Sequence, residues 1–330
     1  MKIAIISITQ NGKSLAMDIS SALKEDPTVI KVDLFHKNVK QNIKSIFHSY
    51  NCIIGIMATG IMIRNICSLI KNKKDDPAVL IIDEKGQYII SLLSGHLGGG
   101  NELSNKIANL IHSESVITTA TDLNNKLGVD CLAKKYYLKI DDISKVKNIN
   151  SALLNNQMVQ IAINSKYKFI WEDLDIKKSY DKIKNKSDDI TVSNGSVTIH
   201  LKPKKIVVGL GSRKNIETNS VVDAVKSALK ILNLPIERID LLATGDMKEK
   251  EIGIINAAEE LGLPLEIVPT KLIKDFKNDD ITYSDFVIEK FGLPGICEPS
   301  SLIAAGEDSN LIFKKTPYNG VTVAVAVSKN

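Results

Sequence analysis

Gln87-Tyr88-Ile89-Ile90-Ser91-Leu92-Leu93-Ser94-Gly95-His96-Leu97-Gly98-Gly99-Gly100-Asn101-Glu102-Leu103 carries a strand, a glycine-rich turn and the start of a helix in one unbroken stretch. The run Gln87 to Leu93 is apolar and β-favouring, so it reads as a strand. After the glycines, Leu103, Ile107, Leu110 and Ile111 share one helical stripe, and Asn101 is placed to cap that helix. A strand that ends in a loop and turns into a helix is the building unit of open α/β sheets, which bind ligands at the carboxyl ends of their strands.

The same alternation extends in both directions. Val79 to Ile82 forms a preceding strand, and Asp83-Glu84-Lys85-Gly86 has the composition of a hairpin turn. Further upstream, strands over Ile3 to Ile8 and Cys52 to Met57 lead into helices expected from Ser14 and Ile61, the second with Met62, Ile66, Leu69 and Ile70 on one face. Residues 1–137 therefore read as an α/β domain with a largely parallel sheet. From 138 to 204 the texture turns to Lys, Asn, Asp and short strands, with a hairpin signal at Ser193-Asn194-Gly195. This is a small β-rich middle segment, and its run Lys184 to Asp189 reads as a solvated loop.

Alternation resumes over 205–330, a second α/β domain. Strands are expected at Ile206 to Leu210, Ile239 to Ala243, Leu265 to Val268, Leu311 to Lys314 and Val321 to Val327. Helices are expected from Thr218, over Lys248 to Leu261 and from Glu298. The fold class is thus α/β: two α/β domains with mainly parallel sheets joined by a small β-rich middle segment.

Bulk properties narrow the function. The chain has 330 residues, 44% hydrophobic and 25% charged, an ordinary globular composition long enough for two cores. Its 43 basic against 38 acidic residues give +5, the lysines are dispersed and aromatics are 5%, which disfavours nucleic acid and suits a small polyanionic substrate. Cys52, Cys67, Cys131 and Cys297 form no paired spacing, so no metal site is expected. The apolar run at Met1 to Ile8 reads as a buried strand, and Cys52 to Ile63 is short of a membrane span, so a cytoplasmic protein with no membrane partner is expected.

Chemistry concentrates around His96. Ser94, Gly95, Gly98, Gly99 and Gly100 let backbone amides approach a ligand, and the helix at Asn101 adds its positive end, together an anion or oxyanion cradle. His96 is the side chain there suited to proton transfer near neutral pH. The plain alternative is a tight turn with a packed histidine. Glu102 either orients His96, acts as a second acid/base or simply favours the helix dipole.

Three further places offer substrate contacts. Thr59 and Gly60 begin another helix, with Arg64 able to clamp a carboxylate or make a surface ion pair. In the last domain Thr244 repeats the strand-to-helix arrangement, while Lys248 and Glu251 are either a substrate contact with its partner or an i, i+3 surface pair. Glu298 opens a helix, where a carboxylate is also favoured by the dipole. Gln10-Asn11-Gly12-Lys13-Ser14 lacks the leading glycine of a phosphate loop. Gly209-Leu210-Gly211 lacks the third glycine of a dinucleotide fingerprint, and reads as a tight strand-to-helix turn.

Several of these stretches together resemble the CbiG family of cobalt-precorrin 5A hydrolases: Asp75-Asp76-Pro77-Ala78-Val79, Ser91 through Leu103 around Ser94-Gly95-His96, Thr9 with Gly12, and Gly60-Ile61 with Arg64. Gly209, Gly211 and Arg213, Ala243-Thr244, Lys248 with Glu251, Pro264-Leu265, Glu298 and Val321 to Ala326 resemble its carboxy-terminal domain, although Gly100 and Gly245 depart from the pattern. The resemblance implies hydrolysis of the ring-contraction lactone of a cobalt corrinoid, with loss of a two-carbon fragment as acetaldehyde to give cobalt-precorrin 5B. It implies no cofactor beyond the substrate's own cobalt, and as partners the corrinoid itself, other corrin-pathway enzymes in transient contact and a homodimer. A non-catalytic tetrapyrrole carrier of the same pathway is the alternative.

Overall fold

The computed structural model describes residues 1–72, 75–184 and 189–329, and for Phe286 the backbone alone. Residues 185–188 of the expected solvated loop lie outside the described residues. Two compact units are present, Met1–Lys202 and Pro203–Asn330.

The first unit contains two sheets. Strands β1 (Lys2–Ser7), β2 (Lys31–His36), β3 (Cys52–Ile56), β4 (Ala78–Ile82), β5 (Tyr88–Leu93) and β6 (Glu114–Val116) lie in the order β2-β1-β3-β4-β5-β6. All neighbours are parallel except β4 and β5, the expected hairpin. Alternating side chains sort onto two faces. Ile3 and Ile5 meet Ala16, Ile19, Leu23, Leu103 and Ile107 on one side, while Ala4 and Ile6 meet Ile43, Ile46, Met62 and Ile66 on the other. Each such isoleucine, withdrawn fully from water, contributes about 1.5–3 kcal/mol before entropy is counted.

Two helices differ from expectation. The first spans Gln10–Lys24, capped by Thr9, whose side chain accepts from Gly12 N at 3.1 Å. It starts before Ser14, so the Gln10 to Ser14 stretch is a first helical turn and not a phosphate loop. The second spans Thr59–Ile66 with Ala58 as N-cap, starting before Ile61 and ending before Leu69, and Ile70 is 41% exposed.

The middle sheet is formed by β7 (Leu138–Ile140), β8 (Gln160–Ala162), β9 (Asp181–Ile183), β10 (Ile190–Ser193) and β11 (Thr198–Pro203), in the order β7-β11-β10-β8-β9. Antiparallel β10 and β11 are joined at Gly195, whose φ of +85° suits glycine. The core on this sheet already includes Val129, Leu132 and Ala133 of the helix Val129–Lys135, with Tyr136 at its C-cap. That helix therefore packs with the middle sheet, although it precedes residue 138.

The second unit holds β12 (Ile206–Ser212), β13 (Leu241–Gly245), β14 (Leu265–Val268), β15 (Asn310–Tyr318) and β16 (Val321–Val327), in the order β14-β13-β12-β16-β15. Its first two pairings are parallel and its last two antiparallel, so this sheet is evenly mixed and not mainly parallel. Gly209 and Gly211 lie inside β12, not in a turn. A Cβ on Gly209 would come within 1.9 Å of the Cys297 carbonyl oxygen, which explains that glycine by close packing of the helix Cys297–Ala305.

Candidate functional site

The chain leaves β5 at Ser94, with φ of +52°, and turns through Gly99, with φ of +83°, into the helix Gly100–Ile111. The turn is largely self-bonded. Gly99 N donates to His96 O at 2.9 Å, Gly100 N to Ser94 O at 3.3 Å and Asn101 N to Gly95 O at 3.0 Å. Of the three glycine amides only Gly98 N has no partner among the described residues, so the expected oxyanion cradle reduces to one donor. Steric need accounts for the glycines: a Cβ on Gly95 would sit 2.4 Å from Asn101 Oδ1, and one on Gly98 would sit 2.6 Å from Ser94 O.

This tight turn aims the His96 ring at two carboxylates. His96 Nδ1 lies 3.0 Å from Asp130 Oδ2, and Nε2 lies 2.7 Å from Asp122 Oδ2 and 3.1 Å from Thr121 Oγ1. The His96 and Asp130 side chains are each 11% exposed, whereas Asp122 is 37% exposed. Asn150 Nδ2 donates to Asp130 Oδ1 at 2.9 Å and fixes that carboxylate. Asp122 Oδ2 also accepts from Asn101 Nδ2 at 3.1 Å, which leaves Asp122 Oδ1 unpartnered among the described residues.

Burial opposes charging the ring, but the hydrogen bond and charge of Asp130, together with Cys131, outweigh it and push the His96 pKa up to about 11. Burial likewise raises Asp130, and the His96 bond and charge plus Asn150 override it to hold that carboxyl low. The stable state at neutral pH is an imidazolium donating from both nitrogens. A general base needs a free lone pair, so the expected water-activating role passes from His96 to a carboxylate.

Cys131 completes the surroundings, its thiol raised mainly by burial while His96 draws it down. Its Sγ, the His96 ring and the Asp130 carboxylate converge within 4.8 Å, close enough to crowd around a divalent ion.

Other expected residues lie elsewhere. Glu102 does not reach His96: its carboxylate is 82% exposed and pairs with Lys134 at 2.9 Å, because the first helical turn points it outward. Asn101 does not cap the helix, whose N-cap is Gly99, and bonds Thr119 Oγ1 at 2.8 Å instead. Thr59 makes no capping bond, and Arg64 folds back on its own helix to donate to Gly60 O at 3.2 Å.

In the second unit Thr244 is fully buried and donates to Leu210 O at 2.8 Å, so it ties β13 to β12 and faces no ligand. Glu298, 1% exposed, accepts from Thr282 N at 2.6 Å and Lys315 N at 2.8 Å. It pins two segments of backbone. Lys248 and Glu251 pair at 3.2 Å with side chains only 13% and 9% exposed, so this is no surface pair. They stand in the wall of a cavity of about 1150 Å³ formed within this unit.

Sequence alone does not bring Asp122, Asp130, Thr121 and Asn150 to His96. The available signal was Thr119-Ala120-Thr121-Asp122 and Gly128-Val129-Asp130, two carboxylates in the first turns of short helices downstream of His96.

Fold and centre together define an α/β protein with a histidine clamped between carboxylates beyond a strand's carboxyl end. Matches to known proteins give this class a family. Residues 41–122 match the family described as Cobalamin synthesis G N-terminal, 127–200 the Cobalamin biosynthesis central region, and 206–326 the Cobalamin synthesis G C-terminus. A protein of Methanocaldococcus jannaschii named "Probable cobalt-precorrin-5A hydrolase" is 38% identical, covering 99% of both chains. The Cobalt-precorrin-5A hydrolase of Priestia megaterium is 26% identical over 98% of this chain and 94% of its own. The crystal structure of a cobalamin biosynthesis protein G homolog from Sulfolobus solfataricus superposes with a TM-score of 0.65 at 26% identity, covering 99% of this chain and 97% of the other. The chain belongs to the cobalamin synthesis G (CbiG) family.

Proposed function

We propose that this protein is a cobalt-precorrin-5A hydrolase, which opens the lactone of a cobalt corrinoid and releases acetaldehyde at the His96 centre. Full-length similarity to proteins of that name supports the substrate. The observation that carries the chemistry is the Asp122–His96–Asp130 array, with ring-to-carboxylate distances of 2.7 and 3.0 Å.

Hydrolysis needs a proton taken from water, charge stabilised on the carbonyl oxygen and a proton returned to the leaving alkoxide. Asp122, half-open and with Oδ1 free, accepts the water proton as the water oxygen attacks the lactone carbonyl. The imidazolium of His96, held by Asp130, and the uncommitted Gly98 N offset the negative charge that develops. Collapse breaks the ester C–O bond, and the proton held by Asp122 passes to the alkoxide. In the second stage the new hydroxyl gives up its proton and the adjacent C–C bond breaks. Acetaldehyde leaves, and the electron pair and a proton end on the macrocycle.

No cofactor beyond the substrate's own cobalt takes part in this scheme. The protein is placed by this reading in the cytoplasm; separately, among the described residues no helix is long and apolar enough to cross a membrane. A homodimer and transient contact with neighbouring corrin-pathway enzymes remain part of the proposal. The test is anaerobic incubation with cobalt-precorrin 5A. Repeated turnovers of acetaldehyde support the hydrolase, and stoichiometric binding without product would instead mark a carrier.

A further inference from the structure

The cavity in the second unit is lined by none of the residues of the His96 centre. Its volume of about 1150 Å³ exceeds the roughly 300–1,000 Å³ usual for small-molecule sites, so it is scaled for a large ligand. All of its lining residues come from 211–322, so the second unit forms it alone.

The lining combines two chemistries. Arg213, Lys214, Lys248, Lys250, Lys290 and Lys315 bring six basic side chains against two acidic ones, Glu217 and Glu251. Glu251 is already committed, to Lys248 at 3.2 Å and to Ile216 N at 3.1 Å. Met247, Ile252, Val287, Phe291 and Ile296 line the same cavity. Ile252 is 69% and Phe291 46% exposed, apolar surface in want of a ligand. The helices Thr218–Leu232 and Ile252–Leu261 both begin at the cavity wall and turn their positive ends to it. Ser212 Oγ, also in the wall, is buried without a hydrogen-bond partner.

A large cavity whose lining combines apolar side chains with an excess of cations fits one ligand class: a flat macrocycle fringed with carboxylates. Nucleotides fit worse, because Gly209 and Gly211 lie inside β12 and form no glycine loop beyond its end to receive a pyrophosphate. We infer that the second unit by itself binds the polycarboxylate periphery of the cobalt corrinoid in this cavity, resting on the reading of the protein as a corrinoid hydrolase.

The test titrates the full-length protein with dicyanocobyrinic acid, a cobalt corrinoid with free peripheral carboxylates, and separately with its peripheral methyl ester. Binding is followed by calorimetry. The acid should bind at least about tenfold more tightly than the ester, the scale of a lost charged hydrogen bond. Arg213→Ala combined with Lys315→Ala should weaken the acid by a similar factor. Lys250→Glu, at a side chain 92% exposed and therefore safe for folding, should weaken it severalfold and more so at low salt. Lys329→Ala, at a side chain 62% exposed and outside the cavity lining, should bind within about twofold of wild type.

Equal affinity for acid and ester, or cavity variants with unchanged affinity and unchanged KM for cobalt-precorrin 5A, would overturn the cavity assignment and leave the hydrolase reading intact. Tight, carboxylate-dependent binding at the cavity with no acetaldehyde from wild type would uphold the cavity and overturn the hydrolase.

Discussion

Asp130 holds His96: its Oδ2 lies 3.0 Å from the ring Nδ1, and both side chains are nearly closed to solvent. A carboxylate so placed fixes the ring's orientation and its charge. Asp130→Asn keeps the shape and removes the charge, so kcat should fall by about 10²-fold or more while KM changes only a few-fold. Steady-state acetaldehyde release measures both. An unchanged kcat would show that the pair is structural.

The same pair makes stability depend on pH. The His96 pKa is raised from 6.5 to about 11, so the folded state holds this proton more tightly than the unfolded chain. Its stabilisation is complete below about pH 6.5 and is lost as pH climbs toward 11. Asp130, held low, contributes above about pH 4 and loses that contribution in acid. Thermal unfolding should therefore be most resistant between these limits and decline on the alkaline side by up to about 1.4 kcal/mol per pH unit. His96→Asn should flatten that alkaline slope. The same slope in both proteins would contradict a charged His96.

Glu102 offers the opposite case. It is exposed and paired only with Lys134, and exposed pairs contribute about 0–1 kcal/mol. Glu102→Gln should keep turnover within about threefold of wild type, since such surface changes are small. A loss as large as that of Asp130→Asn would place Glu102 in the chemistry after all.

Gly98 tests the turn. An added Cβ would meet Ser94 O at 2.6 Å and Ala78 N at 3.3 Å, backbone atoms that cannot swing aside. Gly98→Ala should cost about 1–3 kcal/mol of stability and depress activity by displacing His96. Denaturant unfolding and turnover together read the two effects.

Chelation separates proton from metal. Because both His96 nitrogens lie within hydrogen-bonding distance of carboxylates, exhaustive treatment with EDTA should leave the hydrolysis rate unchanged. Loss of activity restored by zinc would convert His96, Asp130 and Cys131 into ligands.

Much of the fold was open to reading because alternation and helical stripes are local. Val321–Val327 and Leu265–Val268 fall where their apolar runs place them, and His96 stands out because its turn is so rich in glycine. Its partners were hidden for a physical reason. Asp122 and Asp130 lie 26 and 34 residues away, on short helices where a first-turn carboxylate already has an ordinary explanation. Burial was equally invisible: Thr244 and Glu298 look like ligand contacts in sequence, yet packing of β12 and β15 turns both inward. Lys248 and Glu251 read in sequence equally as a substrate contact with its partner or as a surface pair, and only the folded unit shows that they line a cavity.

One measurement bears most directly on the whole account: acetaldehyde released from cobalt-precorrin 5A under anaerobic multiple-turnover conditions by wild type, Asp122→Asn and His96→Ala. Wild type should turn over repeatedly, and each variant should be slower by about 10²-fold or more. Acetaldehyde at the wild-type rate from both variants, or none from wild type, would contradict catalysis by the Asp122–His96–Asp130 centre.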